Sequence, residues 1–289
     1  MRVIVTGASG YIGSNLIKLL SREGLDVISI INRHTLDFGK VVECDLRKRG
    51  EIDKIFIDKV DAIIHLAGQV YNKNASDDDY IEYNLNITRN ILDACIKYDV
   101  KKFIFASSMA VYGINAGWFE SLYLPIDENH PLRPYEYYGL SKYLSEILCK
   151  FYNERYGIDT TILRYSRVYG PSSKGFINDS IRKALKGEMI VINSDISTDF
   201  VFIDDVVNST RNALSLKGFN IFNIGSGEEV RLLELAEMII NNLQSNSQVT
   251  VIDKKRSRFY YDITNARLRL NYNPLPIKEG IKYCISHIL

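Results

Sequence analysis

Continuous apolar runs, each followed by a longer amphipathic stretch, recur through residues 2–165 of the chain. Examples are "RVIVT" at 2–6, "DAIIHLA" at 61–67 and "KKFIFAS" at 101–107. Because polar and apolar residues do not alternate inside these runs, we expect the strands to be buried on both faces, as in a parallel sheet covered by helices. The repeated order of strand and helix therefore predicts an α/β fold built on a doubly wound parallel sheet.

The composition is that of an ordinary globular protein. The chain has 289 residues, of which 46% are hydrophobic and 25% charged, and its formal net charge is +1. This balance offers no electrostatic footprint for nucleic acid or for an anionic membrane surface, so we expect neither as a partner. The chain opens directly on a predicted strand and has no apolar run near the roughly 18 residues of a membrane span, which favours a cytoplasmic location.

The four cysteines are Cys44, Cys95, Cys149 and Cys284, and they lie far apart without CxxC spacing or a nearby histidine cluster. We therefore predict neither a metal site nor a disulfide framework. Thiols of this kind are typical of a reducing compartment.

A glycine-rich loop follows the first predicted strand in "VTGASGYIGSNL". Gly7, Gly10 and Gly13 stand between this strand and a helix predicted over 11–23. Glycines at such a turn let backbone N–H groups approach a pyrophosphate at the positive end of the helix. The order of strand, loop and helix predicts dinucleotide binding of the Rossmann type, and the alternative is a glycine-rich turn without a ligand.

The stretch "YYGLSK" places Tyr138 and Lys142 one helical turn apart in a helix predicted over 134–156. An apolar stripe on the opposite side of this helix predicts that the pair points away from the stripe. A lysine ammonium beside the phenol is expected to lower the pKa of Tyr138, so that it exchanges a proton with a substrate oxygen. Ser108, at the end of the fifth predicted strand, can hydrogen-bond the same oxygen during hydride transfer.

Beyond about residue 170 the pattern loosens into shorter strands and helices. We therefore predict a dinucleotide-binding Rossmann domain over 1–170 that carries the catalytic residues. A smaller α/β substrate-binding lobe is predicted over 171–289, with some chain returning to the core.

Together these motifs resemble the extended branch of the short-chain dehydrogenase/reductase superfamily, in particular the NAD-dependent epimerase/dehydratase family of nucleotide-sugar enzymes. The resemblance covers nearly the whole chain and includes "TGASGYIGS", "HLAG", "SSMAVYG", "YYGLSK", "RYSRVYGP", "DFVFIDDVV" and "FNIGSGEEVRLLELAE". It implies a catalytic triad of Ser108, Tyr138 and Lys142. It also implies a nucleotide-diphosphate sugar as the substrate and a homodimer as the assembly.

The motifs and the resemblance also assign residues to the cofactor and to the substrate. The candidate cofactor residues are Gly7, Gly10, Tyr11, Ile12, Gly13, Asn32, Arg33, Asp45, Leu46, Leu66, Ala67, Gly68, Asn84, Tyr138, Lys142, Tyr165 and Val168. The candidate substrate residues are Ser108, Met109, Arg167 and Thr198. The resemblance implies that Asp45 and Leu46 hold the adenine and that Asn84 lies toward the nicotinamide.

The two residues after the catalytic serine differ from those of the 4,6-dehydratases of this family, which carry Asp-Glu there. Met109 and Ala110 cannot move protons, so we do not expect a dehydratase. The remaining chemistry needs only the triad and a nicotinamide. It is either the reduction of a 4-keto sugar or 4-epimerisation.

The end of the second predicted strand bears on the choice of cofactor. In dinucleotide-binding folds an acidic residue at this point takes the ribose 2'-hydroxyl, whereas an arginine accommodates a 2'-phosphate. Here Asn32 and Arg33 occupy the region, and no carboxylate occurs before Asp37. We therefore predict a preference for NADP(H), with NAD(H) as the alternative if Arg33 points into solvent. A reductive cofactor favours a 4-ketoreductase over a 4-epimerase.

Two substitutions against the family pattern concern the substrate. Thr198 stands where family members often carry an arginine for the nucleotide diphosphate, and Arg167 replaces a usual asparagine. Arg167 either restores an anion contact or forms a salt bridge within the lobe.

Three other polar motifs are interpreted as structural. We expect His65 to pack at the end of a strand and "KKRSR" at 254–258 to be a solvated loop. The "GSG" at 225–227 is expected to be a turn before a helix.

The predicted function is that of an NAD(P)-dependent 4-ketoreductase acting on a nucleotide sugar, and the alternative is a nucleotide-sugar 4-epimerase. A dehydrogenase acting on a non-nucleotide alcohol and a non-catalytic dinucleotide-binding module are further alternatives.

Overall fold

The computed structural model of the chain describes residues 1–32, 39–72, 74–113 and 121–289, and of Lys255 it describes the backbone. The strands are β1 (Arg2–Thr6), β2 (Asp26–Ile31), β3 (Lys40–Glu43), β4 (Ala62–His65), β5 (Lys102–Ser108), β6 (Asp159–Tyr165), β7 (Arg167–Tyr169), β8 (Ile190–Thr198), β9 (Phe200–Phe202), β10 (Phe219–Ile224), β11 (Val230–Arg231) and β12 (Val249–Arg258). The α-helices are α1 (Tyr11–Arg22), α2 (Arg49–Ile52), α3 (Asp77–Tyr80), α4 (Ile87–Lys97), α5 (Tyr137–Tyr156), α6 (Phe176–Leu185), α7 (Ile203–Asn212), α8 (Leu232–Leu243), α9 (Thr264–Leu270) and α10 (Ile277–Ile288).

Within the described residues, seven strands form one sheet in the order β10-β6-β5-β4-β1-β2-β3. β1 pairs in parallel with β2 and with β4, and β2–β3 and β4–β5 are also parallel. The strand order reverses between β1 and β4, the switch point at which Rossmann folds bind ligands beyond the carboxyl ends of the strands. The predicted doubly wound α/β fold is confirmed.

The apolar runs owe their continuity to burial. Val3, Ile4 and Val5 of β1 are fully buried, although they point alternately to the two faces of the sheet. Phe103 and Ile104 of β5 are fully buried in the same way. Burial on both faces explains why the polar alternation of a half-exposed strand is missing from the sequence.

The apolar stripe of α5 is not the buried face of the helix. Ile147 and Phe151 of the apolar stripe are 47% and 51% exposed, whereas Lys142 is only 6% exposed. The buried face of the helix carries mainly small and polar residues, and their polar groups are bonded inside the protein. For example, Glu146 is ion-paired to Arg164 in β6 at 2.7 Å. Internal hydrogen bonding, rather than apolar character, selects the buried side of this helix.

The expectation of a solvated loop at 254–258 is wrong, because this segment is the end of β12. β12 pairs in parallel with β8, and Arg258 lies opposite Ser197. β8 also pairs with β11, so that β11, β8 and β12 form a second sheet. Arg256 is ion-paired to Asp195, and Arg258 is ion-paired to Glu229. Because these charges are paired, a run of basic residues can form a strand.

The chain forms two compact units. The first comprises 1–113, 132–164 and 207–222, and the second comprises 165–206, 223–289 and the described residues of 114–131. The predicted boundary at residue 170 lies inside the segment 165–206 of the second unit. A division of cofactor and substrate binding at that boundary stays a prediction.

None of the helices in the described ranges combines the length and the apolar composition that a membrane span requires.

Candidate active site

The glycine loop that follows β1 is as tight as the spacing of its glycines predicts. Gly7 has a φ of +68°, and a Cβ at this position would lie 2.7 Å from the backbone nitrogen of Ala67. A Cβ at Gly13 would lie 2.3 Å from the carbonyl oxygen of Gly7. Only glycine fits at these two positions, because the turn brings β1, α1 and the segment after β4 into backbone contact.

α1 begins directly after the glycine loop. Gly10 is the N-cap residue, and no side chain caps the helix. The N–H of Gly10 donates to the Gly7 carbonyl at 3.0 Å, and Ser14 N–H donates to the Gly10 carbonyl at 2.8 Å. Tyr11 and Ile12 open the first turn and are half-buried. A glycine cradle at an uncapped helix N-terminus fits the pyrophosphate of a dinucleotide.

A buried hydrogen-bond chain lies behind this cradle. The Thr6 hydroxyl lies 2.7 Å from His65 Nδ1 and accepts the Ala67 N–H at 3.2 Å. His65 Nε2 lies 3.1 Å from the Thr88 hydroxyl, which donates to the Asn84 carbonyl at 2.6 Å. Because the hydrogen of Thr88 is used in this way, His65 donates from Nε2 and accepts at Nδ1. Burial lowers the pKa of His65 to about 3, so the ring is neutral and structural, as predicted.

Asn84 organises the loop that follows β4. Its side-chain oxygen accepts the Gln69 N–H at 2.7 Å, and its amide nitrogen donates to the Ser141 hydroxyl at 2.8 Å. The residue is 1% exposed and belongs to a π-helical turn over Ile81–Asn86. π-helical turns are frequent at functional sites. No pattern in the sequence of this stretch signals the extra residue per turn.

The three triad residues come together in the first unit. Ser108 ends β5, and its hydroxyl accepts the N–H of Ala110 at 3.2 Å. The Tyr138 side chain lies near that of Ser108, close enough for the serine to lower the pKa of the phenol in part. Lys142 is buried one turn along α5 and donates to the Ala106 carbonyl in β5 at 2.9 Å. β5 and α5 thus hold the predicted catalytic side chains at one place.

The expected direction of the Tyr138 pKa is wrong for this structure. Burial raises the pKa of Tyr138, and the nearby Ser108 side chain lowers it only in part. Burial also lowers the pKa of Lys142 to about 8, since the low-polarity surroundings disfavour its ammonium form. Desolvation therefore acts more strongly on both groups than their attraction for one another.

A buried ionic network supports the segment that follows Ser108. Arg164 and Glu146 are paired with side-chain exposures of 2% and 5%. Glu146 also accepts from the Ser107 hydroxyl, and Arg164 donates to the Tyr112 hydroxyl at 2.7 Å. Ser107 and Tyr112 flank the catalytic serine and the short 3₁₀ turn after it, so the network fixes both ends of that segment. Sequence reasoning missed these residues, because a Glu on a helix and an Arg on a strand carry no sign of their pairing.

Met109 and Ala110 lie in this 3₁₀ turn and are 4% and 3% exposed. Neither has a group that can transfer a proton.

The remaining candidate cofactor residues of the first unit are placed as follows. Asp45 follows β3 and forms a two-bond contact with the Arg47 guanidinium, at 2.9 and 2.7 Å. Leu46 is 5% exposed and belongs to the core cluster. Asn32 is exposed just beyond β2, and Arg33 lies outside the described residues. Leu66, Ala67 and Gly68 follow β4, next to the glycine loop. Their contact with a cofactor stays a prediction.

The second unit contains a cavity of about 270 Å³ lined in part by Arg167, Val168, Lys174 and Gly175. Arg167 Nε donates to the Thr198 hydroxyl at 3.2 Å. Burial lowers the pKa of Arg167, and no carboxylate among the described residues is ion-paired to it. Among the described residues, Arg167 therefore does not form the salt bridge that was the alternative to an anion contact. Tyr165, at the end of β6, is 5% exposed.

Comparisons with known proteins agree with this geometry. The model of the NAD dependent epimerase/dehydratase family matches residues 3–225. A putative UDP-glucose 4-epimerase of Methanocaldococcus jannaschii is 37% identical over 305 residues, which cover 98% of this chain and 97% of the relative.

Two solved structures are similar over the whole chain. The UDP-glucose 4-epimerase of Thermotoga maritima with UDP-glucose has a TM-score of 0.91 at 26% identity, covering 100% of this chain and 98% of that one. MoeE5 in complex with UDP-glucose and NAD has a TM-score of 0.87 at 26% identity, with the same two coverages. MoeE5 is also known in complex with UDP-glucuronic acid and NAD.

Proposed function

The chain belongs to the NAD dependent epimerase/dehydratase family, and from this premise we propose that it interconverts the two C4 epimers of a UDP-hexose. The observation that carries the proposal is the approach of Ser108, at the end of β5, to Tyr138 of α5, with Lys142 buried one helical turn away. The pair lies in the unit that also contains the dinucleotide cradle. Proton transfer beside a nicotinamide site is what 4-epimerisation requires.

The comparisons favour the 4-epimerase alternative over the 4-ketoreductase that the sequence analysis preferred. The similar proteins reported above include two whose descriptions name 4-epimerases of UDP-glucose. The preference for a reductase depended on Arg33 and NADP(H), and Arg33 lies outside the described residues. MoeE5 binds NAD, and we propose NAD as the cofactor of this protein as well.

A nicotinamide dinucleotide held by the cradle between β1 and α1 would supply the acceptance and return of hydride at C4 of the sugar. In its phenolate form, Tyr138 takes the proton of the C4 hydroxyl and becomes the phenol, which later returns the proton to the same oxygen. Ser108 donates a hydrogen bond to that oxygen and holds it against Tyr138. A charged Lys142 stabilises the phenolate form of Tyr138 electrostatically.

The cradle residues would hold the dinucleotide in distinct ways. Gly7, Gly10 and Gly13 admit the pyrophosphate to the backbone at the start of α1. Asn84 fixes the loop at Gly68 and Gln69, next to the catalytic lysine. This loop excludes water from the reacting carbon when the substrate is in place.

Arg167 is proposed to bind the diphosphate of the substrate. Its guanidinium is half-buried, and no described carboxylate neutralises it, so a bound anion would offset the cost of its burial. Thr198, which stands where the family often has an arginine, holds the Arg167 side chain instead. We propose that the phosphate-binding charge has moved from position 198 to position 167. Lys174 and the N-terminus of α6 lie at the same cavity and favour an anion too.

A homodimer stays part of the proposal. Ile147 and Phe151 form an exposed apolar pair one turn apart on α5, and an apolar surface of this kind fits a helix-to-helix interface.

Incubation of the purified protein with UDP-glucose tests the function. We expect conversion to a mixture of UDP-glucose and UDP-galactose without added reductant. The two sugars are measured by proton NMR of their anomeric signals. If UDP-glucose stays unchanged while a UDP-4-keto sugar is reduced at the expense of NADPH, the 4-ketoreductase is the better description.

A further inference from the structure

A second cavity of about 270 Å³ lies in the first unit beside the catalytic tyrosine. It is lined by Tyr71, Asn72, Ala75, Asp77, Tyr80, Glu136, Tyr137 and Tyr138. A group that enters this cavity therefore lies next to the phenol that exchanges the proton of the substrate.

Most of the polar wall of this cavity is already hydrogen-bonded. The Tyr80 hydroxyl donates to the Asn72 carbonyl at 2.9 Å and accepts the Asn72 N–H at 2.9 Å. The Asn72 side-chain oxygen accepts the N–H of Asn74 at 3.0 Å. The Tyr80 hydroxyl and the Asn72 backbone are thus bonded to each other and shape this part of the wall.

The Glu136 side chain, by contrast, has an oxygen that forms no hydrogen bond with the described residues. This atom, Oε2, is buried. Glu136 is the N-cap residue of α5, yet its side chain does not cap the helix. A buried acceptor of this kind requires a donor.

The charged residues of the cavity wall indicate which chemical group of a ligand can donate to Glu136 Oε2. Asp77 adds a second carboxylate to the wall, and none of the described lining residues is cationic. A ligand group that carries a hydroxyl supplies the missing donor, whereas a carboxylate would meet like charge.

We propose that Glu136 is a specificity-determining residue that selects neutral, hydroxyl-bearing hexoses and rejects hexuronic acids. The inference rests on the proposed function, since it concerns the sugar that reaches Tyr138. The hydroxyl donates to Oε2, and replacement of the primary alcohol of the hexose by a carboxylate both removes this donor and adds repulsion.

Binding of UDP-glucose and UDP-glucuronate to the wild-type protein, measured by calorimetry, tests the inference, because the two sugars differ only at C6. We expect the Kd for UDP-glucuronate to be higher by about tenfold or more. Glu136→Gln keeps the shape and removes the charge, and should narrow the ratio of the two Kd values to within about threefold. Glu154→Gln is the matched control, because it makes the same change at an exposed position of the same helix, and should leave the ratio unchanged.

Equal binding of the two sugars by the wild type overturns the inference, even if Glu136→Gln fails to fold. A folded Glu136→Gln protein, checked by its melting temperature, that keeps the wild-type ratio overturns it too. Both results leave the proposed epimerase intact as long as UDP-glucose is converted. Failure to bind or convert either sugar overturns the proposed function and the inference together.

Discussion

Burial shifts the pKa of Tyr138 and of Lys142 in opposite directions, and both shifts favour the neutral side chain. The phenol is thereby held protonated, and the ammonium is held near its titration point at a pKa of about 8. A proton that leaves Tyr138 creates a phenolate beside a lysine that gains by becoming charged. The pair is arranged for reversible proton exchange, which an epimerase needs in both directions.

Tyr138→Phe should lower kcat by about 100-fold or more, because it removes the proton donor and little volume. The affinity for NAD and the melting temperature should stay near those of the wild type. Tyr156→Phe is the control, since Tyr156 is 45% exposed at the far end of the same helix. Steady-state turnover of UDP-glucose by the two variants makes the comparison, and wild-type activity in Tyr138→Phe would remove Tyr138 from the triad.

Lys142→Met should abolish turnover and at the same time stabilise the fold. The pKa of Lys142 is lowered from 10.5 to about 8, so between these pH values the unfolded chain binds more protons at this site than the native state. The stability of the wild type therefore rises with pH across this window, and below pH 8 the buried charge costs about 3 kcal/mol.

Urea unfolding of the wild type and of Lys142→Met at a series of pH values tests this expectation. Lys142→Met should raise the free energy of unfolding by about 1 to 3 kcal/mol at pH 7. The loss of the hydrogen bond to the Ala106 carbonyl reduces this gain. The difference should shrink as the pH rises toward 10. A variant that is less stable than the wild type at every pH would show that Lys142 is not destabilising in the native state.

At the scale of elements, the start of α1 depends on the glycines of the loop between β1 and α1. The cradle depends on three backbone approaches, and the two tightest are at Gly7 and Gly13. A methyl group at Gly13 would meet backbone atoms of Gly7 and Ala8, which cannot move without displacing β1.

Gly13→Ala should lower the melting temperature and weaken NAD binding by about tenfold or more, because the overpacking costs about 1 to 3 kcal/mol. Gly50→Ala is the matched control. Gly50 is exposed in α2, and a Cβ there meets nothing within 4 Å, so alanine should leave NAD affinity unchanged and raise stability slightly. Fluorescence titration with NADH and thermal melting are the measurements. Normal NAD affinity in Gly13→Ala would place the dinucleotide elsewhere.

The elements themselves could be predicted to within a few residues wherever a continuous run or a helical period marked them. β1, β5 and α1 are examples, and the glycine motif located the cradle between β1 and α1. Long-range pairing could not be predicted. The buried face of α5 depends on Arg164, Asn84 and Ser107, which are far away in the sequence, so the apolar stripe does not mark that face. The charged run of β12 has the same explanation, since its arginines are neutralised by carboxylates of β8 and of the segment before β11.

At the scale of the whole molecule, the two units alternate along the chain, and a single boundary in sequence does not delimit them. The first unit holds the cradle and the triad, and the second holds the half-buried Arg167. Composition and periodicity do not reveal this alternation, because the returning segment 207–222 reads like any other helix and strand.

Incubation with UDP-glucose or dTDP-glucose should give no 6-deoxy-4-keto product. Dehydration needs an acid and a base in addition to the triad, and the positions next to Ser108 hold the buried Met109 and Ala110. Mass spectrometry of the nucleotide sugars after long incubation is the check. A product that has lost water would show that another part of the molecule supplies the acid and the base.

The most direct test of the epimerase follows the hydrogen at C4. UDP-glucose that carries deuterium at C4 is incubated with the protein, and the UDP-galactose formed is analysed by NMR. We predict that the deuterium is retained at C4 with no net change in the oxidation state of the nicotinamide, because the same hydride leaves and returns within one active site. Loss of the deuterium from C4, or product formation only in proportion to added NADPH, would contradict the account.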